Sequence, residues 1–206
     1  MAAGRFVRVT SNDGTGSGAG ARGPYAKGVQ RRQEILDQTL DVVASRGIDG
    51  ASLRAIGEAI GVSHAALRHY FSSREALLVE VLRERDAASN RALGDTAGVF
   101  TRLGVVADRN VSEPALVTLY TTLLGASVES GNETARSYFA ERFATARSDL
   151  ATQLRDELST SGRHTDADLD QVASLIIAAF DGLQVQWLLD RDVDIAGTLR
   201  LLERVL

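Results

Sequence analysis

Apolar residues along the chain recur at helical intervals. From Lys27 onward, Ile35, Leu36, Leu40, Val43 and Ala44 trace one face of an amphipathic helix, which Arg46-Gly47 interrupts. Ser52 is placed to cap a second helix, whose inward residues Leu53, Ile56, Ala59 and Ile60 run barely two turns before Gly61. After the turn Gly61-Val62-Ser63, Ser63 can cap a third short helix, His64–Tyr70, with Leu67, Tyr70 and Phe71 pointing back to the core. A fourth opens at Ser72, which has the spacing of a capping box with Glu75.

Helical periodicity then continues through 96 to 110, 114 to 130, 133 to 161, 167 to 189 and 194 to 206. Pro114 falls at a first-turn position, and Ser130-Gly131, Ser161-Gly162 and Arg191-Asp192 supply the other breaks. Alternating apolar runs are scarce, so the expected fold is all-α, with a C-terminal helical bundle behind the short N-terminal helices. Residues 11 to 24 are rich in Gly and Ser, and a tail over 1–24 is expected to stay disordered. Gly18, Gly20 and Gly23 have G-x-G-x-x-G spacing, but no strand precedes them, which argues against dinucleotide binding.

Two short helices joined by a three-residue turn with glycine make a helix-turn-helix, whose second helix enters the major groove of DNA. Ile56, Ile60, Val62 and Leu67 wedge the pair together, so the outer face of the last helix is presented rigidly. At 206 residues the chain can build two cores. The boundaries read as 25–85 for a helix-turn-helix domain and 86–206 for the bundle.

Charge adds to this picture. Residues 1 to 74 carry ten Lys+Arg against six Asp+Glu, a balance of +4, while the rest carries thirteen against twenty-one, a balance of −8. A positive head on a negative body suits phosphates at one end. With no cysteine there is no disulfide, thiolate metal site or Cys nucleophile. No nucleophile elbow, P-loop or H-E-x-x-H motif occurs, and His64, His69 and His164 lack metal-ligand spacing, so neither an enzyme nor a metal or other cofactor is expected. No apolar run of transmembrane length and no secretory leader is read in the sequence, and a soluble cytoplasmic protein is expected.

The stretch ILDQTLDVVASRGIDGASLRAIGEAIGVSHAALRHYFSSREALLVEVL, within residues 28 to 85, resembles the DNA-binding domain of the TetR family of regulators. Its specific parts are the helix ending before "RG", the "SLRAIGEAIGVS" helix and turn, the "ALRHYF" recognition helix, and "SREALL" opening a long connecting helix. Gly57 stands where the family usually has alanine, at about 1 kcal/mol of helix propensity, and Arg68 where it often has tyrosine. The resemblance implies a homodimeric regulator, a repressor by default, released from a palindromic operator by an unidentified small-molecule effector. A ligand-independent regulator or a dimeric interaction scaffold of the same fold is the alternative.

With its apolar residues turned inward, the recognition helix exposes His64, Ala65, Arg68 and His69 as base readers, and Arg68 is suited to paired hydrogen bonds with guanine. Lys27, Ser63, Tyr70, Ser73 and Arg74 are suited to phosphates. Arg74, in the first turn of a helix, opposes the macrodipole and calls for a compensating anion. Arg5, Arg8 and Arg22 in the tail could lie in a minor groove.

The segment from Leu169 to Leu189 is apolar nearly all round, with Ile176, Phe180, Leu183 and Trp187 on one stripe and Leu175, Ala178, Ala179 and Gly182 on another. The resemblance, visible here in "FDGLQVQWLLD", implies that the last two helices pack against their symmetry mates, with the second stripe as the dimer interface. The first stripe is expected to face Phe100, Tyr120, Tyr138 and Phe143. It would form, with Phe180, Gln184 and Trp187, the pocket for a largely apolar effector that Gln184 orients.

Overall fold

The computed structural model describes residues 24–93, 98–158 and 166–205. The tail expected over 1–24, except Pro24, which opens α1, and the minor-groove arm expected of Arg5, Arg8 and Arg22 lie outside the described residues. Within them the chain is all-α: α1 (Pro24–Gly50), α2 (Leu53–Ile60), α3 (His64–Tyr70), α4 (Arg74–Leu93), α5 (Val99–Ser112), α6 (Pro114–Ser127), α7 (Glu133–Leu158), α8 (Asp166–Leu189) and α9 (Ile195–Val205).

The short helices form where their ends are satisfied. The backbone of α1 breaks at Gly47, whose φ of 71° suits a residue without Cβ. The Ser52 hydroxyl accepts from Ala55 N and starts α2, and Gly61 ends it in the left-handed conformation at φ 68°. Ser63 caps α3 in the same way, accepting from Ala66 N at 3.1 Å. The capping box expected of Ser72 and Glu75 is corrected. Ser73 is the residue that caps α4, accepting from Ala76 N, and the Glu75 carboxylate instead accepts from Ala135 N at 3.1 Å, at the start of α7. An acidic side chain there satisfies a free N–H and favours the positive end of the α7 dipole.

Burial of Ile35, Leu36, Ile56, Leu67, Leu77 and Leu78, each at most 2% exposed, fixes the first four helices against one another. Each such side chain contributes about 1.5–3 kcal/mol. The core does not stop there. The same apolar cluster runs on through Leu119, Tyr120 and Leu123 of α6 and Ala135, Tyr138 and Phe139 of α7, so the expected boundary at 85/86 falls inside α4, along a continuous core. A second cluster joins α5, α7 and α8 through Phe100, Leu154 and Ile176, and a third joins α5, α6, α8 and α9 through Val117, Trp187 and Leu199.

Helix α8 is long and apolar enough to cross a membrane by length and composition alone. One of its stripes is buried in the second and third clusters; Leu175 and Leu189 lie outward, 67% and 86% exposed. Ala44 and Ala59, expected inward, are exposed.

Candidate functional site

The head presents α3 as its outer helix. Leu67 is fully buried, and the turn before α3 closes against α2 so tightly that a Cβ on Gly57 would sit 2.5 Å from the Val62 carbonyl oxygen. The missing methyl therefore makes room for the turn. His64, Ala65, Arg68 and His69 all lie exposed on α3, and Arg68 has no hydrogen-bond or ion-pair partner among the described residues. His69 meets the half-buried Tyr70 edge to face, with ring centroids 5.5 Å apart.

The residues read as phosphate ligands divide. Lys27 and Ser63 are exposed, and Tyr70 and Ser73 half-buried. Arg74 is turned inward: Nε donates to the Ala51 carbonyl at 2.9 Å and Nη2 to that of Ile48. Arg74, expected on phosphate, thus spends two of its donors inside the head, on neutral carbonyl oxygens beside the α1–α2 junction.

In the body, a cavity of about 480 Å³ opens where the three apolar clusters meet, a size suited to a small ligand. Tyr120, Tyr138, Phe180 and Gln184 line it as expected. Phe100, Phe143 and Trp187 do not. Phe100 is consumed by the second cluster and Phe143 packs on Phe139 at 6.2 Å between centroids, while Trp187 is buried in the third cluster under the Arg191 guanidinium at 3.9 Å.

The larger departure is polar. A hydrogen-bonded chain crosses the cavity wall from α4 to α5. Arg142 donates Nε and Nη2 to the Asp86 carboxylate at 2.9 and 3.3 Å, and the Tyr138 hydroxyl donates to Asp86 at 2.8 Å. Arg142 Nη1 reaches the Tyr120 hydroxyl at 3.2 Å, which in turn donates to Asp181 at 3.1 Å. Gln184 closes the chain, donating to Asp181 at 3.4 Å and accepting from Asn110 at 2.7 Å. Gln184, expected to orient the effector, lines the cavity with both ends of its amide engaged.

Burial pushes the Tyr120 and Tyr138 hydroxyls well above the ordinary phenol range, reinforced by Asp181 and Asp86 respectively, so both stay protonated donors. Burial also raises the Asp181 carboxyl, with Arg142 and the Tyr120 hydrogen bond pulling it back. Asp86, Arg142, Asp181 and Asn110 escaped the sequence reading. The signal was present: Arg142 falls four residues after Tyr138 and seven after Ala135, on the inward stripe of α7.

On the α8 surface, Leu175 and Ala178 are exposed, and Ala179 and Gly182 half-buried. Val185 and Leu189, at 41% and 86% exposure, extend the stripe in steps of three and four residues.

Comparison with known proteins bears on both regions. Residues 35–81 match the family profile described as "Bacterial regulatory proteins, tetR family", and 106–206 that of the "BetI-type transcriptional repressor, C-terminal". The chain is 43% identical over 54 residues to the transcriptional regulator PksA of Bacillus subtilis, which is 26% of each chain. It is 27% identical over 154 residues to a transcriptional repressor of Mycobacterium tuberculosis, covering 74% of this chain and 80% of that one. Among the curated relatives, the matched part spans 26%, 44% and 30% of PksA and two corynebacterial AcnR repressors. In fold, the chain is similar to a transcriptional regulator of Saccharomonospora viridis solved in complex with choline, with a TM-score of 0.65 at 20% identity over 85% of this chain and 95% of that one.

Proposed function

The chain belongs to the TetR family of bacterial regulatory proteins, and from that premise we propose that it is a cytoplasmic homodimeric repressor that holds a palindromic operator through α3 and releases it when a small molecule enters the body cavity. The observation that carries this reading is the contrast on α3: Leu67 is locked in the core while Arg68, one residue on, is exposed and unpartnered. A guanidinium in that position is free to give two parallel hydrogen bonds to guanine O6 and N7. His64, Ala65 and His69 flank it as the other base readers, and Lys27, Ser63, Tyr70 and Ser73 fix the head on the phosphates.

Two heads must meet successive major-groove faces about 34–36 Å apart, which requires a dimer. The exposed stripe of Leu175, Ala178, Gly182, Val185 and Leu189 on α8, with spacing suited to a facing helix, supports that face as the interface. The cavity and its small-molecule dimensions support an effector site. Choline in the Saccharomonospora viridis regulator is a small molecule held by a protein of this fold, and gives the reading its motive without fixing the effector's chemistry.

Selection of duplexes from a random library tests the DNA reading. Arg68→Ala is expected to relax preference at one position per half-site, losing about 1–3 kcal/mol of discrimination there. An unchanged preference would remove Arg68 from the base readers. For the dimer, Leu175→Asp buries a charge in the proposed interface and is expected to halve the mass in solution and abolish operator binding; a variant that stays dimeric moves the interface elsewhere.

A further inference from the structure

Asp86 and Arg142 are the ion pair on the cavity wall, and the two partners are not equally replaceable. Arg142 is held on three sides, by Asp86, by the Tyr120 hydroxyl and by the Tyr120 ring 4.9 Å below its guanidinium. Among the described residues Asp86 is held by Arg142 and the Tyr138 hydroxyl, and its side chain is the more exposed, 39% against 29%. Turning Asp86 out to water costs little, whereas expelling Arg142 strands a guanidinium built into the wall.

A fixed guanidinium that already carries one carboxylate can take another by exchange, because the incoming oxygens accept from the same Nε, Nη2 and Tyr138 donors. Four arginines and three acids line the cavity, but Arg83 and Arg85 are also paired with Glu80 and Glu113 outside the lining and Asp181 joins the wall's hydrogen-bonded chain, so the hold on an anion rests on the Arg142 guanidinium that Asp86 vacates. Leu103, Val106, Leu116, Ile177 and Phe180 supply the apolar remainder. Resting on the effector reading above, we propose that the cavity takes a small amphiphile bearing a carboxylate, which binds Arg142 and Tyr138 in place of Asp86.

The exchange has a mechanical consequence. Polar ties join α4 to α7 at three points: Glu75 on Ala135 N beside the head, the exposed Arg83–Glu141 pair at 3.3 Å, and Asp86 on Arg142 and Tyr138 at the cavity. Eleven residues of helix separate the first from the last, about 16 Å. A ligand carboxylate removes the Asp86 tie and leaves only the Arg83–Glu141 pair at that end, which as a solvent-exposed ion pair holds weakly, so α4 pivots about Glu75 and carries α3 with it. Because the ligand binds the untied arrangement and not the tied one, it shifts the population as an effector must.

Calorimetric titration of the full chain with octanoate, octanol and octylammonium, matched in chain length, tests the assignment. Octanoate is expected to bind at least about tenfold tighter than either of the others. Asp86→Asn removes the internal competitor and is expected to tighten octanoate about threefold, while weakening operator binding in the absence of ligand. Arg142→Gln is expected to erase the preference for the carboxylate; should that variant not fold, Asp86→Asn carries the test alone. Equal or tighter binding of octanol or octylammonium, or no gain in Asp86→Asn, overturns the carboxylate and leaves the effector cavity standing. Silence from all three probes overturns the carboxylate and counts against the effector reading itself.

Discussion

Arg68 in the head and Arg142 in the body are the same side chain put to opposite uses. Arg68 stands on the outside of α3, exposed and without an internal partner, while Arg142 is turned inward onto Asp86, Tyr120 and the Tyr120 ring. The head keeps its interior dry and its chemistry outside, so an outward residue can change without disturbing the scaffold. The body keeps its chemistry inside, where the groups of the Asp86–Arg142–Tyr120–Asp181 chain satisfy one another and binding has to proceed by exchange. Function and stability are therefore separable in the head and entangled in the cavity.

The sharpest way to break that separation is to disturb the scaffold under α3 from within. Gly57→Val places a branched side chain 2.5 Å from the Val62 carbonyl oxygen and 3.2 Å from Leu67 Cδ1. Backbone cannot yield as a flexible side chain would, so the loss is expected to reach about 3 kcal/mol. Thermal melting reads the destabilisation, and operator titration should show a loss larger than melting alone explains, because α3 is also displaced. A variant as stable as the parent would mean that the turn is not closed on Gly57.

How far each region was legible follows from the same contrast. In the head, the caps Ser52 and Ser63, the glycine stop at Gly61 and the inward residues Ile56 and Leu67 are local signals, and the helices begin and end where those signals stand. The expected helices of the bundle also form, with ends shifted by a few residues; α5 runs Val99–Ser112 where 96 to 110 was expected. The cavity wall was legible only in Tyr120, Tyr138, Phe180 and Gln184, because a charged residue on a helix reads locally as solvated. Arg142, Asp86 and Asp181 sit at inward positions of α7, α4 and α8, where their pairing depends on three helices distant in sequence. For the same reason the inward contacts of Arg74 were not legible, since its carbonyl partners lie 23 and 26 residues upstream.

Arg74 and Lys27 sharpen the comparison at an intermediate scale, since both were read as phosphate ligands and only one is turned inward. Arg74→Ala leaves the carbonyls of Ile48 and Ala51 without their charged donor and is expected to cost about 1.5 kcal/mol of stability. Lys27→Ala should leave the melting temperature unchanged and instead reduce the salt dependence of operator binding by about one unit of slope. The reverse outcome, with Arg74→Ala fully stable and shallower in salt, would restore Arg74 to the phosphate set.

The smallest effect expected is at Asp181, where the body's inward chemistry meets pH. Its side chain is half-buried, and burial raises the carboxyl above the ordinary carboxylate range, with Arg142 and the Tyr120 hydroxyl only partly offsetting this. A carboxyl raised on folding binds its proton more tightly in the native state. Its contribution is favourable below the unfolded value and declines as pH rises through the folded one. Asp181→Asn removes the charge yet keeps an oxygen for the Tyr120 hydroxyl and for Gln184. The variant should therefore be more stable than the parent at neutral pH, by less than the roughly 1 kcal/mol net worth of one hydrogen bond. The gain should vanish on acidification through the ordinary carboxylate range, where the parent's own carboxyl, raised by burial, is already protonated. Melting curves across that range check it, and a gain that grows on acidification would show that Asp181 is held as a carboxylate by Arg142 and not burdened by burial.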